Sequence, residues 1–592
     1  MTLRFRFCTT SVFFVTALVF SLFTPARAVE ADGEWEAARV WLAPLSPRPG
    51  EPLRILAVAV DGELTGLRLT RPGGAGEDLS TVRAGGPPWN LRAVVPDTVA
   101  GDYRIEALRA GTVVAHAEIA VGEESAKRGS GRWDLAAEAL YAAWIEQLFD
   151  APPEESLSFP SLEPVLRDPA RNFLHDYLRP GEDARIAAEP DCADLPYFLR
   201  AYFSWKLGLP LAYRPCDRGN AKRAPQCGPA RFDTSFVGAR ASAETFRKTG
   251  RELVNVVHSG NARTALDADA GDFYPVPLSR EYLWPGTIFA DPYGHLLILT
   301  KWLPQTDASP GLLLAVDAQP DNSVARKRYW EGNFLFAETP SAGPGFKAYR
   351  APVRSGKGWR QPANAELDGR SGLPPWSLAQ ADMAPGDFYA RMEGLINPQG
   401  LDPESAYRGT LDALMEQLET RVRSVDNGEN YMRAERGRVV PMPKGPAIFE
   451  TIGPWEDYAT PSRDMRLLIA MKVLAGLPER IRRHPELFNL GDPGAEEAAA
   501  GIEGLHARMA EDRFISYSRS DGSPWRLSLA EIYRRQSALE IAYNPNDCVE
   551  RRWGATPDRE DFAPCKRRAP ADQIARMEQY RPWFRETRRP PR

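Results

Sequence analysis

Three side chains of this sequence have the types and order needed for nucleophilic acyl chemistry: Cys192, His295 and Asp317. Cys192 follows Asp191 and precedes LPYFLRAYFSWKLGLP, in which Leu195, Phe198, Leu199, Tyr202 and Trp205 recur at helical spacing. Pro196 suits a first helical turn, and Gly208 with Pro210 ends the run. Cys192 is therefore expected at the start of a helix, where free N–H groups and the helix dipole favour a thiolate. A buried structural thiol is the competing reading.

A thiol nucleophile needs a base and a group to orient it. Six histidines follow the leader: His116, His175, His258, His295, His484 and His506. His295 has the best setting, in WPGTIFADPYGHLLILTKW, which reads as strand, tight turn, and His opening a second strand. His258, before Ser-Gly in a loop, is the reserve base. Asp317 ends the next apolar run, GLLLAVDAQPDNSV, and can orient the imidazole if the two strands are neighbours. A plain turn aspartate beside Pro320, Asp321 and Asn322 is the equal alternative.

The order helix-Cys, strand-His, strand-polar residue resembles the NlpC-type, papain-like cell-wall cysteine peptidases. Asp191-Cys192 matches their first element, Pro285 to Phe289 with Gly294-His295-Leu296 the second, and Asp317 the third. The likeness spans about residues 185–320. It departs in two ways. Cys and His stand 103 residues apart, which calls for an inserted subdomain, and Ala193-Asp194 replaces the usual Ser-Gly. Asp194 is expected to put negative charge near the thiolate and oppose it. The resemblance implies hydrolysis of an amide bond in peptidoglycan stem peptides, with Cys192 as nucleophile, His295 as base and Asp317 as orienting group. The rival is a non-catalytic envelope protein that binds partners and retains the domain as a scaffold.

The elements that must position these groups span 592 residues, too many for one core. Residues 1–28 read as a signal peptide: Arg4 and Arg6, an apolar run from Ser11 to Phe23, then Ala26-Arg27-Ala28. Its removal moves the net charge from -5 to about -8, which disfavours nucleic acid as a partner. No later segment is long enough to span a membrane. The chain is therefore expected to be exported, and periplasmic in a Gram-negative host.

Residues 36–122 read as strands, with Tyr103, Ile105 and Ala107 alternating before Ala110-Gly111, then Ala115, Ala117, Ile119 and Val121. An Ig-like β-sandwich fits. A linker runs from Gly122 to Arg132. Residues 133–335 mix helix and strand as an α+β domain, beginning with a helix from Trp133 to Phe149 and a helical turn from Asn172 to Leu178. Residues 340–592 read as mainly helical, with helices at Ser405–Val425, after a Thr460 cap, and at Leu527–Ala542.

Cysteine usage agrees with export. Cys8 leaves with the leader, while Cys216 with Cys227 and Cys548 with Cys565 flank polar loops suited to disulfides. Cys192 is left over. No metal-ligand spacing, P-loop or dinucleotide fingerprint is present, so neither metal nor cofactor is expected. Trp455-Glu456-Asp457 fits a sugar-stacking site or a turn before the Thr460 helix equally well.

Overall fold

The computed structural model describes residues 37–123, 131–238, 241–319, 322–449, 453–491 and 494–590. The expected signal peptide and most of the linker lie outside the described residues. The molecule combines antiparallel sheets with a mainly helical C-terminal region.

The first unit holds two four-stranded sheets. One contains β1 (Ala38–Ala43), β2 (Leu53–Ala59), β5 (Val82–Gly85) and β6 (Trp89–Val95), in the order β1-β2-β6-β5. The other contains β3 (Gly66–Thr70), β4 (Gly76–Asp78), β7 (Gly101–Arg109) and β8 (Thr112–Val121), in the order β4-β3-β7-β8. Alternation sets the register: Tyr103 faces Ile119, Ile105 faces Ala117 and Ala107 faces Ala115. Leu53, Ile55, Leu67, Leu69, Tyr103 and Ile105 fill a core shared by both sheets. The other face of the first sheet gives Leu56 and Val58 to the core of the next unit. Polar ties hold the two units together, including Asn90 Nδ2 to Glu146 at 2.9 Å and Arg92 to Asp150 at 3.1 Å.

The second unit is built on a seven-stranded antiparallel sheet. Its strands are β9 (Ser158–Phe159), β10 (Phe273–Pro275), β11 (Ile288–Ala290), β12 (Leu296–Leu303), β13 (Leu312–Ala318), β14 (Val324–Arg328) and β15 (Gly345–Tyr349). The order is β10-β15-β11-β12-β13-β14-β9. β11 to β13 are nearly continuous apolar runs because both sheet faces are covered. Ile288, Ala290, Leu296 and Ile298 face the helices α1 (Leu135–Leu148) and α2 (Leu195–Leu207). Phe289, Leu297 and Leu299 face Phe388 and Met392 of α3 (Pro385–Ile396). The sheet therefore runs past the boundary expected at residue 335. β15 inserts between β10 and β11, a non-local pairing that no local pattern encodes.

The helical region begins with α4 (Pro403–Ala434), which is capped by Asp402 through Ser405 N at 2.8 Å and outruns the expected Ser405–Val425. It packs on α5 (Pro461–Ala475) around Leu411, Leu414, Leu418, Met465 and Leu468. A buried two-pronged ion pair, Arg421 to Asp464 at 2.9 Å, joins the two helices. Thr460 stands before Pro461, but its hydroxyl accepts from Arg552 at 3.2 Å instead of capping the helix.

Two other expectations fail locally. Leu527 to Ala542 begins as a strand, Pro524–Ser528, paired with Phe514–Ser518, before short helices follow. Asn172 to Leu178 is a string of turns whose backbone is held by Asn172 and Asp183 side chains. Both expected disulfides form, Cys216–Cys227 and Cys548–Cys565, and leave Cys192 as a free thiol. Among the described residues no helix is long and apolar enough to cross a membrane.

Candidate active site

Cys192 lies in the turn that opens α2. The true cap is Asp191, whose Oδ1 accepts from Ala193 N at 2.7 Å and Asp194 N at 3.0 Å. Leu195 N closes onto Asp191 O at 3.0 Å, and Pro196 sits in the first turn. At the far end Gly208 adopts a left-handed φ of 70°, which stops the helix.

His295 follows the turn Asp291-Pro-Tyr-Gly294 and immediately precedes β12. Asp291 organises that turn: its Oδ1 accepts from Tyr293 N at 2.7 Å and His295 N at 2.9 Å. Gly294 has φ 111°, a region open to glycine and costly for other residues. The Cys192 sulfur rests against this strand start, 3.9 Å from Gly294 O. The N–H of Leu296 also points at the sulfur.

Asp317 is 1 % exposed, near the end of β13, the strand next to β12. His295 Nε2 lies 2.8 Å from Asp317 Oδ2, which also accepts from Gln319 Nε2 at 2.7 Å. Lys327, on β14, stands 3.8 Å from the other carboxylate oxygen. Burial pushes the Asp317 carboxyl up, but Lys327, His295 and Arg466 outweigh it and hold it below the usual range. An ionised Asp317 keeps a proton on Nε2 and leaves Nδ1 as the second ring nitrogen. Asp317 is thus a buried strand residue rather than a turn aspartate. Of the turn residues weighed with it, Pro320 and Asp321 lie outside the described residues. Asn322, at the hairpin tip, donates to Glu189 O at 2.7 Å and ties the hairpin to the segment entering Cys192.

The thiol's environment differs from the expected one. Burial, then Asp191, Asp291 and Asp317, push the Cys192 thiol well up, against the Leu296 N–H. The helix end does not offset this, because Asp191 already takes the N–H groups of Ala193 and Asp194. Asp194, expected to oppose the thiolate, is instead a buried group whose own carboxyl rises to about 7 through burial and Asp191.

His258 is not joined to this group. Its Nδ1 accepts from Gly260 N at 3.0 Å and its Nε2 meets Cys216 O at 2.9 Å, so it braces the disulfide-closed loop. His116 is exposed on β8, and His175 pairs with Asp176 at 3.9 Å in the turn region. His175, Asp176 and Asp183 could hold a cation by their spacing. There the Lys206 ammonium supplies the positive charge, 2.7 Å from Asp183.

Three contributors escaped sequence reasoning: Asp191 as cap, Lys327 and Arg466. The turn that Asp291 organises was legible from Asp291-Pro-Tyr-Gly294. A hairpin register would have placed Lys327 beside Asp317. Arg466 comes from α5, with no sequence cue to its place. Glu456 of the Trp455-Glu456-Asp457 segment is likewise near enough to feel Asp191. That segment forms a short helix, Pro454–Tyr458, with Trp455 buried and its indole donating to Ile448 O at 3.0 Å. The C-terminal region touches the turn before His295 through Arg589, whose guanidinium stands 5.3 Å over the Tyr293 ring.

No protein-family model, curated protein or solved structure matches this chain. Its function must be argued from the site itself.

Proposed function

We propose that the protein is an exported cysteine peptidase or amidase of the cell envelope, with Cys192 as nucleophile, His295 as base and Asp317 as orienting group. One observation carries the reading: a buried carboxylate 2.8 Å from an imidazole on the next strand, with a free thiol against the backbone just before that imidazole. A helix-borne Cys followed by strand-borne His and Asp supports a papain-like, NlpC-type identity for the second unit. Two packed antiparallel sheets with alternating faces support an Ig-like identity for the first.

In this mechanism His295 Nδ1 takes the Cys192 proton as sulfur attacks an amide carbonyl. The Cys192 N–H, which Asp191 does not take, is the oxyanion donor. The C–N bond breaks as His295 returns the proton to the amine, leaving a thioester. Water, deprotonated by His295, then hydrolyses the thioester and restores the thiol. Asp317 holds the tautomer and stabilises the imidazolium. The raised thiol means proton transfer accompanies attack rather than preceding it. Peptidoglycan stem peptides are the proposed substrate, on the strength of the family resemblance. The disulfides accord with export, and no cofactor or nucleic acid is invoked.

A second reading, a non-catalytic envelope scaffold, draws on the half-buried position of Cys192 in the negative field of Asp191, Asp291 and Asp317. The two separate cleanly. Residues 29–592 are incubated with stem-peptide fragments and new amino termini are read by mass spectrometry. Cleavage that vanishes in Cys192→Ala and His295→Ala supports the enzyme. Intact fragments, together with a Cys192 inert to small electrophiles, support the scaffold.

A further inference from the structure

A cavity of about 180 Å³ opens beside the turn that leads to His295. Several distant parts of the chain wall it. Arg218 comes from the disulfide-closed loop, Tyr293 from the Asp291–Gly294 turn, and Arg588 and Arg589 from the C-terminal segment. Arg263 also lines it. It is 2 % exposed, with its guanidinium held by Ser259 O at 3.3 Å and Pro292 O at 3.2 Å. Arg589 is held by rings, 4.6 Å over Phe449 and 5.3 Å over Tyr293.

Four arginines thus surround one small space whose lining has a single acidic residue, Glu338. Guanidinium groups offer planar forks of donors that match carboxylate and phosphate oxygens. The rest of the wall is mixed: Tyr293, Phe449 and prolines are apolar, while Asn220, Thr339 and Ser341 are polar. Such a lining suits an organic body that carries the anion, and the volume limits that body to a small one.

We propose that this cavity binds a compact oxyanion, carboxylate or phosphate, carried on a small organic body. The site stands apart from the catalytic reading, since none of its arginines belongs to the Cys192–His295–Asp317 group.

Calorimetry and thermal melts of the whole exported chain test this, with N-acetylalanine and glycerol phosphate as probes. N-acetylalaninamide serves as the neutral control, and ionic strength is held constant with chloride. At least one anion should bind with Kd below about 1 mM and raise Tm, while the neutral amide does neither. Binding of the carboxylate alone assigns the site to peptide termini, and of the phosphate alone to phosphorylated glycans or lipids. Arg218→Ala with Arg588→Ala should weaken binding by roughly tenfold or more. Both side chains are exposed, so the fold tolerates their loss. Cys192→Ala should bind as well as the parent. The proposal falls if neither anion does more than chloride, or if the double arginine variant binds unchanged.

Discussion

His258 and His295 belong to the same unit, one just after the helix Ala243–Val256 and one just after the turn Asp291–Gly294, yet they keep different partners. His258 spends both ring nitrogens on backbone groups, Gly260 N–H and Cys216 C=O, and so locks a turn to the disulfide-closed loop. His295 spends one nitrogen on a buried carboxylate, and a free thiol rests against the carbonyl of the residue before it. What separates a brace from a base is the occupation of the second nitrogen, and the polarity of the partner on the first. A carbonyl partner orients the ring. A carboxylate partner also stabilises the positive charge that catalysis creates.

The strongest way to break that contrast is Asp317→Asn. It keeps the shape and removes the charge, and activity on the cleaved fragment should fall by about 10²- to 10⁴-fold. An unchanged rate would mean His295 is held for structure, as His258 is. Exchanging the histidines sharpens the contrast. His258→Ala should cost about 1–3 kcal/mol in denaturant melts, through an unsatisfied turn, and leave Cys192 labelling as it was. His295→Ala should change the pH profile of labelling by a small electrophile, and it should also cost stability because it strips a hydrogen bond from the buried Asp317 carboxylate.

A smaller effect concerns the thiol. Removing a neighbouring negative charge lowers a thiol's pKa, so Asp191→Asn should speed Cys192 labelling at pH 8 by about 3- to 10-fold. Asparagine still caps the helix, so the fold is spared. A further effect is on stability against pH. Asp194 has a folded pKa of about 7, above its unfolded value, so the folded state holds the extra proton. Its favourable contribution is complete below the unfolded pKa of about 3.9 and is lost as pH rises to about 7. Asp194→Asn should therefore gain a few kcal/mol at pH 8 and nothing at pH 4, measured by paired melts.

Much of the site was legible because its cues are local. Pro196 and Gly208 bound the helix, Asp291-Pro-x-Gly makes the turn before His295, and apolar runs place the strands that follow His295 and carry Asp317. The thiol's charge state was not legible. It was expected to be eased by the helix start and opposed by Asp194. It is opposed instead by Asp191, Asp291 and Asp317, and two of those three are far away in sequence. The extent of the central sheet was hidden for the same reason, since β15 enters between strands that precede it by many residues. Leu527 was misplaced because a short apolar run fits a strand and a helix equally well.

The sequence by itself determined the pairing of Cys216 with Cys227 and of Cys548 with Cys565, the helix behind Cys192, and the strand-turn-strand around His295. Each rests on side chains within one or two turns of each other, where spacing alone sets geometry. The tertiary structure decided which histidine meets a carboxylate, how burial and distant acids set the thiol, and which arginines share a cavity. Those outcomes depend on desolvation and on charges brought together from separate segments, and neither exists until the chain has folded.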